Sequence, residues 1–248
     1  LAVAAWVFIH NEAFTPFKFF NQQRAMEWSG VREIVRLGIP NAITSAVEVS
    51  SFTLMALFIA RLGPDATASH QIAANLAAVL YMMPLALGIA ISARTSFWLG
   101  AGEAARARHA VGLGFRMGLV ASVCLALALW LLRGPLAGLY AKSPEVVSLA
   151  VSLLGWIALY HVFDAMQAIG VFVLRCFRIT VAPMLIYGVF LWGVGLYGGY
   201  VLAYEGLGPW TAMHSPVAFW LAGIASVVFT SVVFWAMIWQ LFQKDQRP

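Results

Sequence analysis

Two carboxylates stand at positions where carboxylates are costly. Of ten acidic residues, eight fall in loops or near the ends of apolar stretches, whereas Glu48 and Asp164 lie well inside them. Glu48 sits within Ser45-Ala-Val-Glu-Val-Ser-Ser51 and Asp164 within Tyr160-His-Val-Phe-Asp-Ala-Met-Gln167. A carboxylate near the centre of a bilayer costs roughly 2.5–3.5 kcal/mol on insertion scales. Neither stretch carries Arg or Lys near its centre to offset that cost. Both side chains are therefore expected to face a protein interior or a wet cavity. Tyr160, Asp164 and Gln167 follow at i, i+4 and i+7 and share one helical face. Thr44, Ser45, Ser51 and Phe52 flank Glu48 in the same way. These faces join negative charge to hydroxyl and amide oxygens, hard donors suited to Na⁺ or to a mobile proton. Glu48 and Asp164 are thus the candidate cation ligands, with Gln167 and Ser51 as accessory donors. His161, three residues before Asp164, is a candidate proton relay, although a packing histidine is the favoured reading. Hydrogen bonding across helices is the competing role for either carboxylate taken singly. Two of them at this depth favour function.

The elements that must position these residues are transmembrane helices. The 248 residues are 62% hydrophobic and 10% charged, against roughly 25% charged in soluble globular domains. A water-facing surface cannot be built from that composition; the lipid bilayer explains it. Six apolar runs, each long enough to cross about 30 Å of hydrocarbon, extend over about Leu37–Ala60, His70–Ala93, Val111–Leu132, Val146–Leu174, Val181–Tyr204 and Pro216–Phe242. They are continuous and do not alternate every second residue, which favours helices over barrel strands. Turn residues separate them: Gly63-Pro64-Asp65, Gly100-Ala101-Gly102, Ser143-Pro144 and Gly206-Leu207-Gly208-Pro209. Pro84 predicts a kink in the second span. Gly188, Gly193, Gly195, Gly198 and Gly199 predict close helix contacts along the fifth.

The fold class is all-α, a polytopic membrane protein. Residues 1–9 read as the tail of a preceding transmembrane helix, because this apolar run begins without a polar flank and lacks the features of a signal peptide. Residues 10–36 form an amphipathic connector, with a short interfacial helix over Met26–Leu37. Residues 37–242 are the six-helix body, and 243–248 a polar tail. The first residue is Leu, and the expectation is a fragment of a longer protein. Alternating spans place twelve of the fifteen Lys and Arg on one side, leaving Arg61, Arg133 and Lys142 on the other. By the positive-inside tendency the first side is cytoplasmic, and so are the connector and the C-terminus.

Several function classes are excluded. The net charge of +5 comes with no basic cluster or stacking motif, so nucleic acid is not a partner. Cys124 and Cys176 lie far apart without metal-ligand spacing. No Gly-x-Ser-x-Gly elbow, Gly-x-Gly-Asp pair or zinc-binding His-Glu-x-x-His supports an enzyme, and no cofactor is expected. His70 and His109 sit at span ends and read as interfacial. Arg94 reads as a snorkelling or capping residue.

The ordered stretches Leu37-Gly-Ile-Pro40, Val47-Glu-Val-Ser-Ser-Phe52, His70-Gln-Ile-Ala-Ala-Asn75, Tyr81-Met-Met-Pro84, Leu99-Gly-Ala-Gly-Glu103, Phe163-Asp-Ala-Met-Gln167 and Leu174-Arg175 together resemble the multidrug and toxic compound extrusion (MATE) family, in particular its NorM-type bacterial branch. Each motif is weak alone; in this order and spacing they are specific, and they cover nearly the whole chain. The resemblance implies a twelve-helix antiporter of two six-helix lobes in the inner membrane, of which this chain supplies the second. The N-terminal lobe is the missing partner. It also implies a cation site on Glu48, Tyr81 and Asp164, with Tyr160 lining the same lobe. Na⁺ or H⁺ is the expected coupling ion, and a small organic cation the expected cargo. A lipid-linked or metabolite exporter of the same superfamily is the alternative; it predicts basic side chains in the cavity, where this sequence places acids. Ser96 and Arg175-Cys-Phe-Arg178 depart from the family pattern at cytoplasmic connectors.

Overall fold

The computed structural model describes Trp6, residues 28–209 and residues 211–244. It divides into two units, residues 1–39 and 40–248. Apart from Trp6, the expected helix tail over residues 1–9 lies outside the described residues, as do residues 10–27 of the connector and 245–248 of the tail. The short helix expected over Met26–Leu37 is, from Trp28 onward, the start of helix α1 (Trp28–Ala60). Pro40 lies inside α1 without ending it.

Five further helices follow: α2 (Pro64–Gly100), α3 (Ala104–Tyr140), α4 (Pro144–Cys176), α5 (Val181–Glu205) and α6 (Val217–Lys244). All six are long and apolar enough to cross a bilayer, which makes the chain an all-α, multi-pass membrane protein. No strand occurs among the described residues. Prolines open α2 and α4 at their first turns, where the missing N–H costs nothing. Gly63, at φ 109°, makes the preceding corner. The connector after α2 is short because it folds back on the helix end. The Ala101, Gly102 and Glu103 amides donate to the carbonyls of Phe97, Leu99 and Trp98 at 3.0, 3.1 and 2.9 Å, and Gly102 takes φ 76°.

Helix α4 is the centre of the bundle. It packs against α2, α3 and α6, while α2 packs on α3 and α5 on α6. Leu153, Ile157, Ala165, Ile169 and Leu174 along it are fully buried. Backbones approach closely at small residues, as expected in lipid, where dispersion and shape drive helix association. A Cβ added at Gly118 would strike Ile169, and one at Gly114 would strike Ile91.

The glycine-rich fifth span differs from a simple helix. Gly188–Tyr197 and Val201–Glu205 are π-helical, with Gly198–Tyr200 between them. Only part of its glycine series serves helix contact. Gly195, Gly198 and Gly199 face Ser226, Ala222 and Phe219 of α6, but nothing lies within 4 Å of a Cβ at Gly188 or Gly193.

From Pro40 onward, α1 buries Pro40, Thr44, Val47 and Ile59 against its neighbours. Three hydrogen bonds tie it to α5. The Tyr204 hydroxyl donates to the Phe58 carbonyl at 2.6 Å, the Trp192 indole to Val47 at 3.2 Å, and the Ser51 hydroxyl to Leu191 at 3.4 Å.

Candidate functional site

The residues singled out by chemistry come together from three helices. On α4, Asp164 is 6% exposed, Tyr160 7% and Gln167 2%. Their common face turns into the bundle because the opposite faces of α4 are taken up by its other helical neighbours. The Gln167 amide donates to Asp164 Oδ1 at 2.9 Å, and Tyr160 interacts electrostatically with the same carboxylate. On α1, Glu48 is half-buried and interacts electrostatically with Tyr81 of α2. The two carboxylates lie within electrostatic range of each other. Glu48, Asp164, Tyr81 and Tyr160 thus form one cluster.

Two further members escaped the sequence reading. Tyr187 of α5 is 2% exposed and interacts electrostatically with Glu48, Tyr81 and Asp164. Arg175, at the end of α4, acts electrostatically on Glu48 and Tyr81, while its guanidinium lies 5.0 Å over the Phe172 ring. A tyrosine in an apolar span gives little signal, since its ring packs like any other aromatic. Arg175 lies at the helix end, where sequence alone assigns it no partner in the span.

The accessory residues divide. Gln167 belongs to the site, and its Oε1 is buried without a hydrogen-bond partner, an acceptor available to a cation. Ser51 turns its hydroxyl to α5. His161 is 2% exposed; its Nε2 is buried and unpartnered, and no hydrogen bond joins it to Asp164 among the described residues. His70 is a correction: it is 2% exposed rather than interfacial, and its ring lies 5.9 Å from that of Trp220. It is buried because α2 begins at Pro64, so position 70 already lies within the packed helix.

Beside Tyr160 is a cavity of about 30 Å³ bounded by Phe52, Met55, Trp220, Gly223 and Ser226. Tyr160 meets Trp220 edge-on at 5.5 Å and Phe52 at 6.4 Å. One wall of the carboxylate site is therefore aromatic.

Among the described residues, no basic group lies within ion-pair distance of Glu48 or Asp164. No cluster of three His, Cys, Asp or Glu occurs among them either. The donors are two carboxylates, tyrosine hydroxyls and one free amide oxygen. All-oxygen sets of this kind suit hard cations, not thiolate- or imidazole-loving metals.

Comparison with known proteins identifies the family. The family model MatE matches residues 40–201. A probable multidrug resistance protein NorM of Aromatoleum aromaticum is 37% identical over 250 residues, covering 99% of this chain and 53% of the relative. A protein of the same name from Neisseria meningitidis is 33% identical over 97% of the chain and 50% of its own length. The chain thus spans about half the length of the curated relatives it matches. In fold it is similar to the crystal structure of a eukaryotic MATE transporter, with a TM-score of 0.84 at 21% identity over 96% of this chain and 52% of that one. Sequence, six-helix fold and relatives agree that this chain belongs to the MATE family, a family of transporters and not of enzymes.

Proposed function

We propose that the chain is the second six-helix half of an antiporter that exports organic, cationic, drug-like compounds in exchange for Na⁺ or H⁺ across a bacterial inner membrane. The observation that carries this reading is the convergence of Glu48 and Asp164 from two helices onto tyrosine hydroxyls and the free Gln167 oxygen. The names of the NorM relatives support the drug-export element. The positive-inside count supports a cytoplasmic C-terminus.

In this mechanism Glu48 and Asp164 hold the incoming cation. Tyr81 and Tyr160 supply hydroxyl contacts that keep the carboxylates oriented before it arrives. Binding neutralises the acidic wall and weakens its hold on a cationic cargo. Coupling then requires that the ion bind the outward- and inward-open states with different affinity, since equal binding shifts neither. A bias of about 1.4 kcal/mol changes the ratio of states tenfold.

The test is efflux of a fluorescent organic cation from pump-deficient cells that express the complete reading frame carrying this chain. Glu48→Gln and Asp164→Asn are compared with the unaltered protein in sodium and in sodium-free buffer. Loss of efflux in both variants at equal membrane abundance is expected, and the sodium dependence names the ion. Full efflux in both variants would remove the carboxylates from the mechanism.

A further inference from the structure

Far from the carboxylates, α2 and α3 leave a cleft of about 600 Å³ between them. Its two ends differ in chemistry. Arg94 and Trp98 on the last turns of α2, with Arg106 and His109 on the first turns of α3, form one end. They share that end because only residues 101–103 separate the helices. Leu87 and Met117 line the other, deeper in the spans. From Trp98 to Leu87 is eleven residues, or about 16 Å along the helix axis.

The basic end is concentrated. Both guanidiniums converge on a single indole, Arg106 at 4.8 Å and Arg94 at 5.9 Å from the Trp98 ring. The opposing acid is Glu103, 3.9 Å from the Arg106 Nε, in an exposed pair that contributes little. Arg94 has no acid within ion-pair distance among the described residues. Phe97, beside this end, is 61% exposed.

We propose that this cleft binds an anionic phospholipid. Its phosphate would sit between Arg94 and Arg106, with Trp98 at headgroup level, and an acyl chain would run along the apolar floor toward Leu87 and Met117. Three observations select this occupant. The helices are long and apolar enough to cross a membrane, so the apolar floor meets acyl chains and not water. The polarity of the cleft, cationic at the helix ends and apolar toward the middle, matches that of a lipid lying in one leaflet. Basic pockets between helices at a membrane surface attract acidic headgroups. A free phosphate would have no use for the apolar floor, and a cationic cargo would be repelled at the rim.

The experiment is native mass spectrometry of the purified complete protein that carries this chain, in mild detergent with equimolar dioleoyl-phosphatidylglycerol and dioleoyl-phosphatidylcholine. The unaltered chain is expected to retain the anionic lipid about tenfold in excess. Arg94→Gln with Arg106→Gln should bring the two lipids level, whereas Arg61→Gln with Arg133→Gln, which removes the same charge elsewhere, should preserve the preference. These arginines are exposed or lie over surface rings, and unfolding temperatures verify that both double variants remain folded. Equal retention of the two lipids by the unaltered chain would overturn the proposal. So would equal loss of preference in both double variants, which would reduce the effect to net charge. Displacement by millimolar glycerol 3-phosphate would show a phosphate site in place of a lipid site. Dimers without retained lipid would show that a second copy fills the cleft.

Discussion

The two proposed cation ligands live on very different helices. Asp164 stands on α4, whose most apolar stretch is 44% buried within the chain, against 17% for that of α1, which carries Glu48. Asp164 is hydrogen-bonded by Gln167 of its own helix and buried beside Tyr160, so its position is set within α4. Glu48 depends on α1, which meets α5 and α6 through three hydrogen bonds and through Phe58 against Tyr200 and Phe219, and on Tyr81 of α2. One ligand stands on the central helix of the bundle and the other on a helix at its margin. In the proposed mechanism the marginal helix is the element whose displacement opens the site.

The strongest test of the central helix is steric. Gly118→Leu places a side chain where even a Cβ would strike Ile169 of α4. Overpacking of this kind costs about 1–3 kcal/mol or more, and the expected result is a marked fall in unfolding temperature in detergent. Gly112→Leu on the exposed face of α3, where no described residue lies within 4 Å of an added Cβ, is the contrast and should leave that temperature nearly unchanged. An equal fall in both would erase the distinction between the packed contact with α4 and an open helix face.

Next in size is the support beneath Asp164. Gln167→Leu removes both the amide donor to Asp164 and the free acceptor. Hydrogen bonds to charged groups contribute about 1.5–3 kcal/mol, so the half-saturating concentration of the coupling ion should rise about tenfold. Ser51→Ala, whose hydroxyl is turned to α5, should change it little. Trp220 fluorescence is a suitable readout, because that ring packs on Tyr160. A larger effect from Ser51→Ala would relocate the site toward α1.

A smaller effect is expected at the tether of α1. Tyr204→Phe deletes the hydrogen bond to Phe58 and nothing else in the contact, a loss of about 1 kcal/mol. Hydrogen exchange should quicken over residues 52–60 by about fivefold and stay constant over residues 153–170. Uniform acceleration along both helices would mean that they open together, and the contrast between them would fail.

How far this could be read from sequence follows the same division. The six spans were legible because continuous apolar runs leave a bilayer helix as the sole economical structure, and Glu48 and Asp164 were legible because a carboxylate inside such a run violates its composition. Gln167 followed from helical spacing. Tyr187 and the burial of His70 were not legible, since both depend on which face of a helix meets which neighbour. The spans were also set too short: α2 begins at Pro64 and α3 extends to Tyr140, because hydropathy marks the hydrocarbon-facing part and not the hydrogen-bonded helix. The π-helical turns of α5 left no trace beyond an excess of glycine.

The smallest prediction concerns the connector after α4, where the sequence departs from the usual family pattern. Arg178 takes φ 59°, a left-handed conformation that costs a residue with a Cβ about 1–2 kcal/mol. The Arg178 amide donates to the Arg175 carbonyl at 3.0 Å and the Ile179 amide to the Leu174 carbonyl at 3.1 Å, so the left-handed turn is what closes the last turn of α4. Glycine adopts the same backbone without that cost. Arg178→Gly should therefore stabilise the chain by up to about 1 kcal/mol, less than the conformational term because the unfolded chain gains freedom as well. A modest rise in unfolding temperature, with ion affinity unchanged, is the expected outcome. A fall would mean that the Arg178 side chain contributes more at this helix end than its backbone costs, and the stability of α4 would then rest partly on a surface charge as well as on its buried face.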